Sequence, residues 1–361
     1  MHGYRVVFAD LLTGQTLHSE PNVSGLKYGR RIGEPGEISG SIAVTEQNAA
    51  LLRSVEKQRT AVWVYFGLDL MVGGVLWDVV PRWSKRSGET WAFTAATFES
   101  YLNQVVISED IGALLQVDQL EIARSLVQHM QADDTANIGI QLDPLLSGVL
   151  RDRTQYLASG NKSYGEALKQ LGEVEGGFEW TIDVWRGNDG HHVKYLRFGY
   201  PRLGSQSAVH VLERDALEDW STSSTGGGTR YRARGGTPQG NGTTEQQPCL
   251  SAVHSATELL AAGWPRIDVV TDYSSVTNPA TLESHAARDL ANALKAQAIP
   301  QVSINLAGTR LRPQAVGETV RLRHRTVLRG ATDEQFRLIG IEVTPSQRGQ
   351  LGTATLTLEA L

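Results

Sequence analysis

The sequence predicts an α+β fold, mainly β, on three observations. Alternating apolar and polar residues fill roughly the first hundred and last sixty positions of the 361-residue chain. Helical spacing with capping residues falls between those two regions. Hydrophobic residues make up 40% and charged residues 20%, which is the composition of a packed protein and not of a disordered one. The length exceeds one ordinary core, so two or more packed units are expected, burying roughly three quarters of the unfolded surface.

In YRVVFAD, Tyr4, Val6 and Phe8 alternate with Arg5 and Val7. EISGSIAV places Ile38, Gly40, Ile42 and Val44 on one face. AVWVYFG (61–67) is followed by LMVGGVLWDVV (70–80), where Gly73 and Gly74 suit a bulge or a sharp bend. TWAFTAATF sets Trp91, Phe93 and Ala95 against Ala92 and Thr94. Strands this closely spaced, rich in Val, Trp and Phe, read as a barrel or sandwich, interrupted by one short helix near Asn48 to Val55.

The pattern changes after about Asn103. VDQLEIARSLVQHMQ has Leu120, Ala123, Leu126, Val127 and Met130 at helical spacing, with Asp118 as cap and Glu121 reaching back. SYGEALKQLGE forms a second capping box, Ser163 with Glu166, ahead of Leu168 and Leu171, and Gly172 offers a stop. GFEWTIDVW alternates again, and RGNDG leads into HHVKYLRFGYP, a hairpin signal. Residues 248–265 show no clear period. A third helix is read in NPATLESHAARDLANALKAQ, with Asn278 as cap, Pro279 at the first helical position, and Leu282, Ala286, Leu290 and Leu294 repeating. Pro300 ends it, and VSINL, ETVRLRHR, QFRLIGIEVT and TATLTLEAL complete a β meander.

The stretch SSTGGGTRYRARGGTPQGNGTTEQQ (223–247) invites a phosphate-binding reading that its residues do not support. A P-loop needs Lys and a hydroxyl after its last glycine, but Gly242 is followed by Thr243 and Thr244. Gly226, Gly227 and Gly228 are contiguous, not spaced as in a dinucleotide fingerprint. TRYRARG reads instead as a strand with a basic face of Arg230, Arg232 and Arg234. Adjacent His191 and His192 point to opposite strand faces, so they are read as a hairpin-surface pair and not as a metal site. Cys249 with His254 lacks a nucleophile signature, and as the only cysteine it excludes an internal disulfide. Asp133 and Asp134 read as a loop, and Trp63, Trp77, Trp91 and Trp180 as core or rim. No catalytic, cofactor-binding or metal-ligating residue is assigned. A net charge of −5 disfavours a dedicated duplex-DNA binder. The start lacks the apolar run of a signal peptide, and no stretch approaches the ~20 apolar residues of a membrane helix, so a soluble chain made in cytoplasm is expected, with no stable membrane insertion.

Four segments together give the chain a family likeness: KYGRRIGEPGEISGSIAV (27–44), VWVYFGLDLMVGGVLWDV (62–79), RDRTQYLASGNKSYGEALKQLGEVEGGFEWTIDVW (151–185), and GETVRLRHR with FRLIGIEVT and the terminal TLTLEAL. The chain resembles the central hub proteins of long-tailed phage tail tips and baseplates, the minor tail proteins, and related hubs of contractile injection particles. The capped helix followed by a Gly-Phe-Glu-Trp strand carries the likeness most specifically. The resemblance implies two tube-like antiparallel β-barrel domains with an inserted α+β part. The first barrel would be 1–103, the insertion 104–204 with 248–297, and the second barrel 205–247 with 298–361. It further implies a homotrimer forming a pseudo-sixfold hub at the virion tail tip. Its partners would be the distal tail or tube protein, the tape-measure protein and the tip spike or fibre proteins, with DNA passing at ejection without specific binding. No cofactor and no enzymatic activity are implied. The alternative is a tail-tip protein that binds or degrades cell wall or carbohydrate. Lytic domains in relatives follow the hub, and a terminal strand ending at Leu361 is read as leaving no room for one.

Overall fold

The computed structural model describes residues 3–20, 22–86, 88–153, 155–205, 207–223, 227–237, 247–295, 299–306, 309, 311–327, 330–346 and 351–361. The first half contributes β1 (Tyr4–Asp10), β2 (Thr16–Glu20), β3 (Val23–Arg31), β4 (Glu37–Ala43), α1 (Ala49–Arg53), β5 (Thr60–Phe66), β6 (Asp69–Ser84) and β7 (Gly88–Thr97). Its strands lie in the antiparallel order β3-β4-β7-β6-β5-β1-β2. Phe8, Val64 and Leu76 face one core; Val7, Trp63 and Tyr65, their neighbours on the same strands, face another. Burial on both faces explains why β1 and β5 read as nearly continuous apolar runs.

Gly73 and Gly74 differ from the expected bulge or bend. They sit in regular pairing with Trp63 and Val62, and the irregularities fall at Val64/Tyr65 and Leu76/Asp78. Glycine is needed there for close approach. A Cβ on Gly73 would lie 2.4 Å from the Trp63 ring, and one on Gly74 would lie 2.0 Å from the Ala96 carbonyl oxygen.

The middle of the chain adds α2 (Glu99–Leu102), β8 (Leu114–Asp118), α3 (Gln119–Gln131), β9 (Ile140–Leu142), β10 (Leu150–Arg153), α4 (Tyr164–Gly172), β11 (Glu179–Arg186) and β12 (His192–Gly199). The hairpin is present as expected, with all eight residues of β11 in register with β12. Leu120, Leu126, Leu168, Phe178 and Ile182 cover the outer face of β1 and β5. Both helix caps form: Asp118 accepts from the Leu120 amide at 2.8 Å, and Ser163 from the Glu166 amide at 3.1 Å. The carboxylates three residues on turn elsewhere. Glu121 accepts from Arg124, whose guanidinium also donates to the Asp143 and Leu145 carbonyls, and Glu166 accepts from Gln170.

After β13 (Val209–Glu213) and β14 (Leu217–Ser223) the chain enters a small separate sheet. It holds β15 (Arg230–Gly235), β16 (His254–Ser255) and β17 (Asp268–Tyr273), with α5 (Thr257–Ala261) between the last two, and α6 (Pro279–Lys295) follows. Within the segment 205–247, β15 pairs parallel with β17 and antiparallel with β16 and, among the described residues, joins no strand of the large sheet. The reason is packing: Ala233 on its apolar face meets Leu282 and Ala286 of α6. Asn278 caps α6 by accepting from the Ala280 amide at 2.9 Å.

The chain then returns to the large sheet with β18 (Ile299–Asn305), β19 (Thr319–Thr326), β20 (Gly330–Thr344) and β21 (Thr353–Ala360). Their order is β14-β18-β21-β20, with β19 on β20 and β13 parallel to β19. The two halves are not separate sheets. β20 pairs antiparallel with β3 from Gly340↔Arg31 to Val343↔Tyr28, making one 13-stranded sheet. Gly29 permits this approach, since a Cβ there would lie 2.9 Å from the Ile341 carbonyl oxygen. Leu212, Val320, Leu338 and Leu356 join Phe8, Ile38 and Leu76 in a single core. No sheet closes on itself among the described residues.

Candidate functional site

Where the halves meet, β3 and β20 each send one arginine onto β11 of the inserted part. Arg30, on β3, donates to the Thr181 hydroxyl at 3.0 Å and pairs with Asp183. Thr181 donates to Glu99 at 3.1 Å, and the same Glu99 oxygen accepts the Ile182 amide at 2.7 Å. Arg337, on β20, pairs with Glu179, donating to one oxygen at 2.8 Å, and also donates to the Leu203 carbonyl at 2.9 Å. Glu179 accepts the Leu203 amide at 2.8 Å. Both arginine side chains are nearly fully buried, at 6% and 4% exposure, so each charge carries a large desolvation cost that only its partners offset. A backbone bond from the Gly33 amide to the Trp180 carbonyl, 2.9 Å, adds to the same clamp. β11 thus fixes the two halves relative to each other and to the helices.

Sequence reading found the strand GFEWTIDVW from its apolar face and missed this face. The signal was present: Glu179, Thr181 and Asp183 alternate with Trp180 and Ile182, and Arg30 and Arg337 interrupt apolar strands.

Among the described residues, the sheet ends in strands with one neighbour each. β2 pairs with β1, β14 with β18 and β13 with β19. β2 turns polar side chains inward: His18 and Glu20 are buried and 3.3 Å apart. Inward polar groups of this kind suppress indiscriminate edge pairing. A cavity of about 610 Å³ lies between the halves, lined by Tyr4, Tyr28, Phe66, Met71, Leu311 and Arg312. Its polar lining includes two tyrosine hydroxyls 3.3 Å apart, Thr309, Ser346 and Arg312, which is paired with Asp69 at 2.7 Å. Burial raises both tyrosine pKa values, so these hydroxyls stay neutral in ordinary buffers.

No protein-family model matches the chain, and no curated protein matches it in sequence. Solved structures do match over nearly its full length. A tail protein from Neisseria meningitidis MC58 aligns over 99% of this chain and 97% of its own, with TM-score 0.62 and 13% identity. The 43 kDa tail protein of prophage MuSo2 from Shewanella oneidensis aligns over 99% and 98%, with TM-score 0.63 and 12% identity. The chain has the fold of phage tail proteins. An E. coli component of the type VI secretion system, itself described as similar to the T4 tail proteins gp27 and gp5, aligns over 94% of this chain and 74% of its own, with TM-score 0.52 and 12% identity.

Within this tail-protein fold the residues singled out in the sequence are dispersed. The basic face of β15 is met by its neighbours: Arg230 and Arg234 lie 3.5 and 3.8 Å from Asp268 and Asp272, and Arg232 donates to the Ser251 carbonyl. Residues 224–226 and 238–246 of the glycine stretch lie outside the described residues. Cys249 and His254 are not a catalytic pair; the thiol donates to the Thr277 carbonyl at 3.3 Å and His254 bonds Glu283 at 2.7 Å. Asp133 accepts from the amide and hydroxyl of Thr135, the local bonds of a loop, which lower its pKa. Trp63, Trp91 and Trp180 are buried, and Trp77 donates to the Ser100 hydroxyl at 2.8 Å. Among the described residues, no three His, Cys, Asp or Glu side chains are grouped to hold a metal. Nor is any described helix long and apolar enough to cross a membrane.

His192 corrects the expectation of a surface pair. Its ring stacks on Trp63 at 4.1 Å and bonds the Tyr65 hydroxyl at 2.6 Å, while His191 stays exposed. Burial, aided by the positive charges of Arg186 and Lys194, lowers its pKa to about 4. Between that value and the ordinary 6.5, the unfolded chain binds a proton that the folded chain refuses, so stability falls as pH drops through this window. The melting temperature is expected to fall from pH 7 to pH 4.5, and less steeply in His192→Phe, which keeps the stacking without the titration. Parallel curves for the two proteins would remove His192 as a source of acid sensitivity.

Proposed function

We propose that this chain is a structural hub subunit of a phage-type tail tip or baseplate. Three copies form a pseudo-sixfold ring that joins the tail tube to the tip or spike and lets DNA pass at infection. The observation that carries the reading is the full-length likeness to the two tail proteins, in a chain whose sheet is built from two halves. Each half acts as a tube-like unit, so three subunits present six such units around an axis and meet a threefold spike on the other side. The domain division follows the sequence reading, with 230–235 moved to the insertion: 1–103 and the 205–223 plus 298–361 segments form the two units, and the rest packs outside them.

The arginine clamp suits such a role. A hub that transmits load between a tube and a spike requires its two units at a fixed angle, and β11 supplies a third body bonded to both. Tube, tape-measure and spike or fibre proteins are the proposed partners, and the proposed role is not catalytic. Light scattering after size exclusion tests the reading. A mass of three chains supports it, whereas a monomer that persists at the highest attainable concentration overturns a self-assembling ring.

A further inference from the structure

The hairpin between β6 and β7 runs beyond the core. Pairing continues through Trp83↔Glu89 and Ser84↔Gly88, yet every described residue from Pro81 to Glu89 is exposed. Trp83, 74% exposed, stands at this tip among Arg82, Lys85 and Arg86. None of these cations takes part in an ion pair among the described residues, in contrast to the matched arginines of β15. An exposed tryptophan on a two-stranded arm whose tip carries three cations without ion pairs and one acid, Glu89 across from Trp83, is the composition of an interface anchor.

The complementary charge lies on the other half of the same chain. The turn from β13 to β14 carries exposed Glu213, Asp215, Glu218 and Asp219 around a single cation, Arg214; Asp219 accepts the Trp220 amide at 2.8 Å, and among the described residues only Glu213 has an ion-pair partner, Arg323 at 3.6 Å. β14 is also the end strand of the large sheet. Resting on the ring reading above, we propose that the β6–β7 tip of one copy docks on the acidic β13–β14 turn of the next copy. A contact between different surfaces of identical chains is head-to-tail, the type that closes into a ring when its rotation permits. Trp83 supplies the apolar anchor, and the opposite charges set register and encounter rate. Duplex DNA is the weaker occupant, because three cations on a chain of net charge −5 neutralise few phosphates.

The test uses the full chain and its solution mass. Wild type, the tip reversal R82E/K85E/R86E, the turn reversal D215K/E218K/D219K and a protein carrying both sets are compared at equal thermal stability. Wild type is expected to be oligomeric, each single set to weaken assembly by about tenfold or more, and the combined set to restore it, since attraction returns with the signs exchanged. Salt at 0.5 M should weaken wild type and the combined protein alike. Oligomers unchanged in both single sets, or no rescue in the combined set, would overturn this contact while leaving the ring intact. A monomeric wild type would instead overturn the ring reading and this contact together. Loss of binding to a short DNA duplex on tip reversal, with the mass unchanged, would reassign the tip to nucleic acid.

Discussion

Replacing Arg337 with methionine is expected to destabilise the fold by about 3–5 kcal/mol, the usual cost of breaking a buried ion pair from one side. Arg337 is 4% exposed and is the junction's link from the second half to β11 through Glu179 and the Leu203 carbonyl. Methionine fills most of the volume but leaves Glu179 charged beside a non-partner. The double variant Glu179→Gln with Arg337→Met removes both charges and keeps an acceptor for the Leu203 amide, so it should recover part of the loss. Urea midpoints of the three proteins measure this. A single variant within about 1 kcal/mol of wild type would show that the clamp does not hold the halves together.

Gly74→Val is expected to have an effect at or above the upper end of overpacking, about 3 kcal/mol or more. The Cβ itself would sit 2.0 Å from the Ala96 carbonyl oxygen and 2.6 Å from its carbon, so no rotamer relieves it and β6 must part from β7. Loss of soluble yield or a large fall in melting temperature is the expected readout. Gly112→Ala serves as the control: its Cβ meets nothing within 4 Å, and a shift within about 0.5 kcal/mol is expected there. If Gly74→Val behaved like that control, the tight β6–β7 pairing would be wrong.

Local patterns were legible where one segment sufficed to define an element. The alternation in β4 and β7, the caps at Asp118, Ser163 and Asn278, and the turn at 186–190 all act over a few residues, and each falls where it was read. Edge strands were harder. β2, β13 and β17 carry short polar-mixed sequences such as TLHSE and DVVTDY, because one side has no strand neighbour to demand a pattern. The pairing of β3 with β20 had no local signal at all, since its partners are about 300 positions apart, as Arg31 and Gly340 show. For the same reason Arg30 and Arg337 looked like isolated charges until β11 lay across them. Trp63 and His192 illustrate the converse. Each was visible, but their stacking depends on how the insertion covers β5.

The central claim is a ring built from two-unit subunits, and images of the purified assembly test it most directly. Negative-stain class averages are predicted to show a closed ring with threefold symmetry, six lobes around an open or plugged centre, and density from the insertion on its outside. Compact single-chain particles, or closed assemblies of another symmetry without six lobes, would contradict the account.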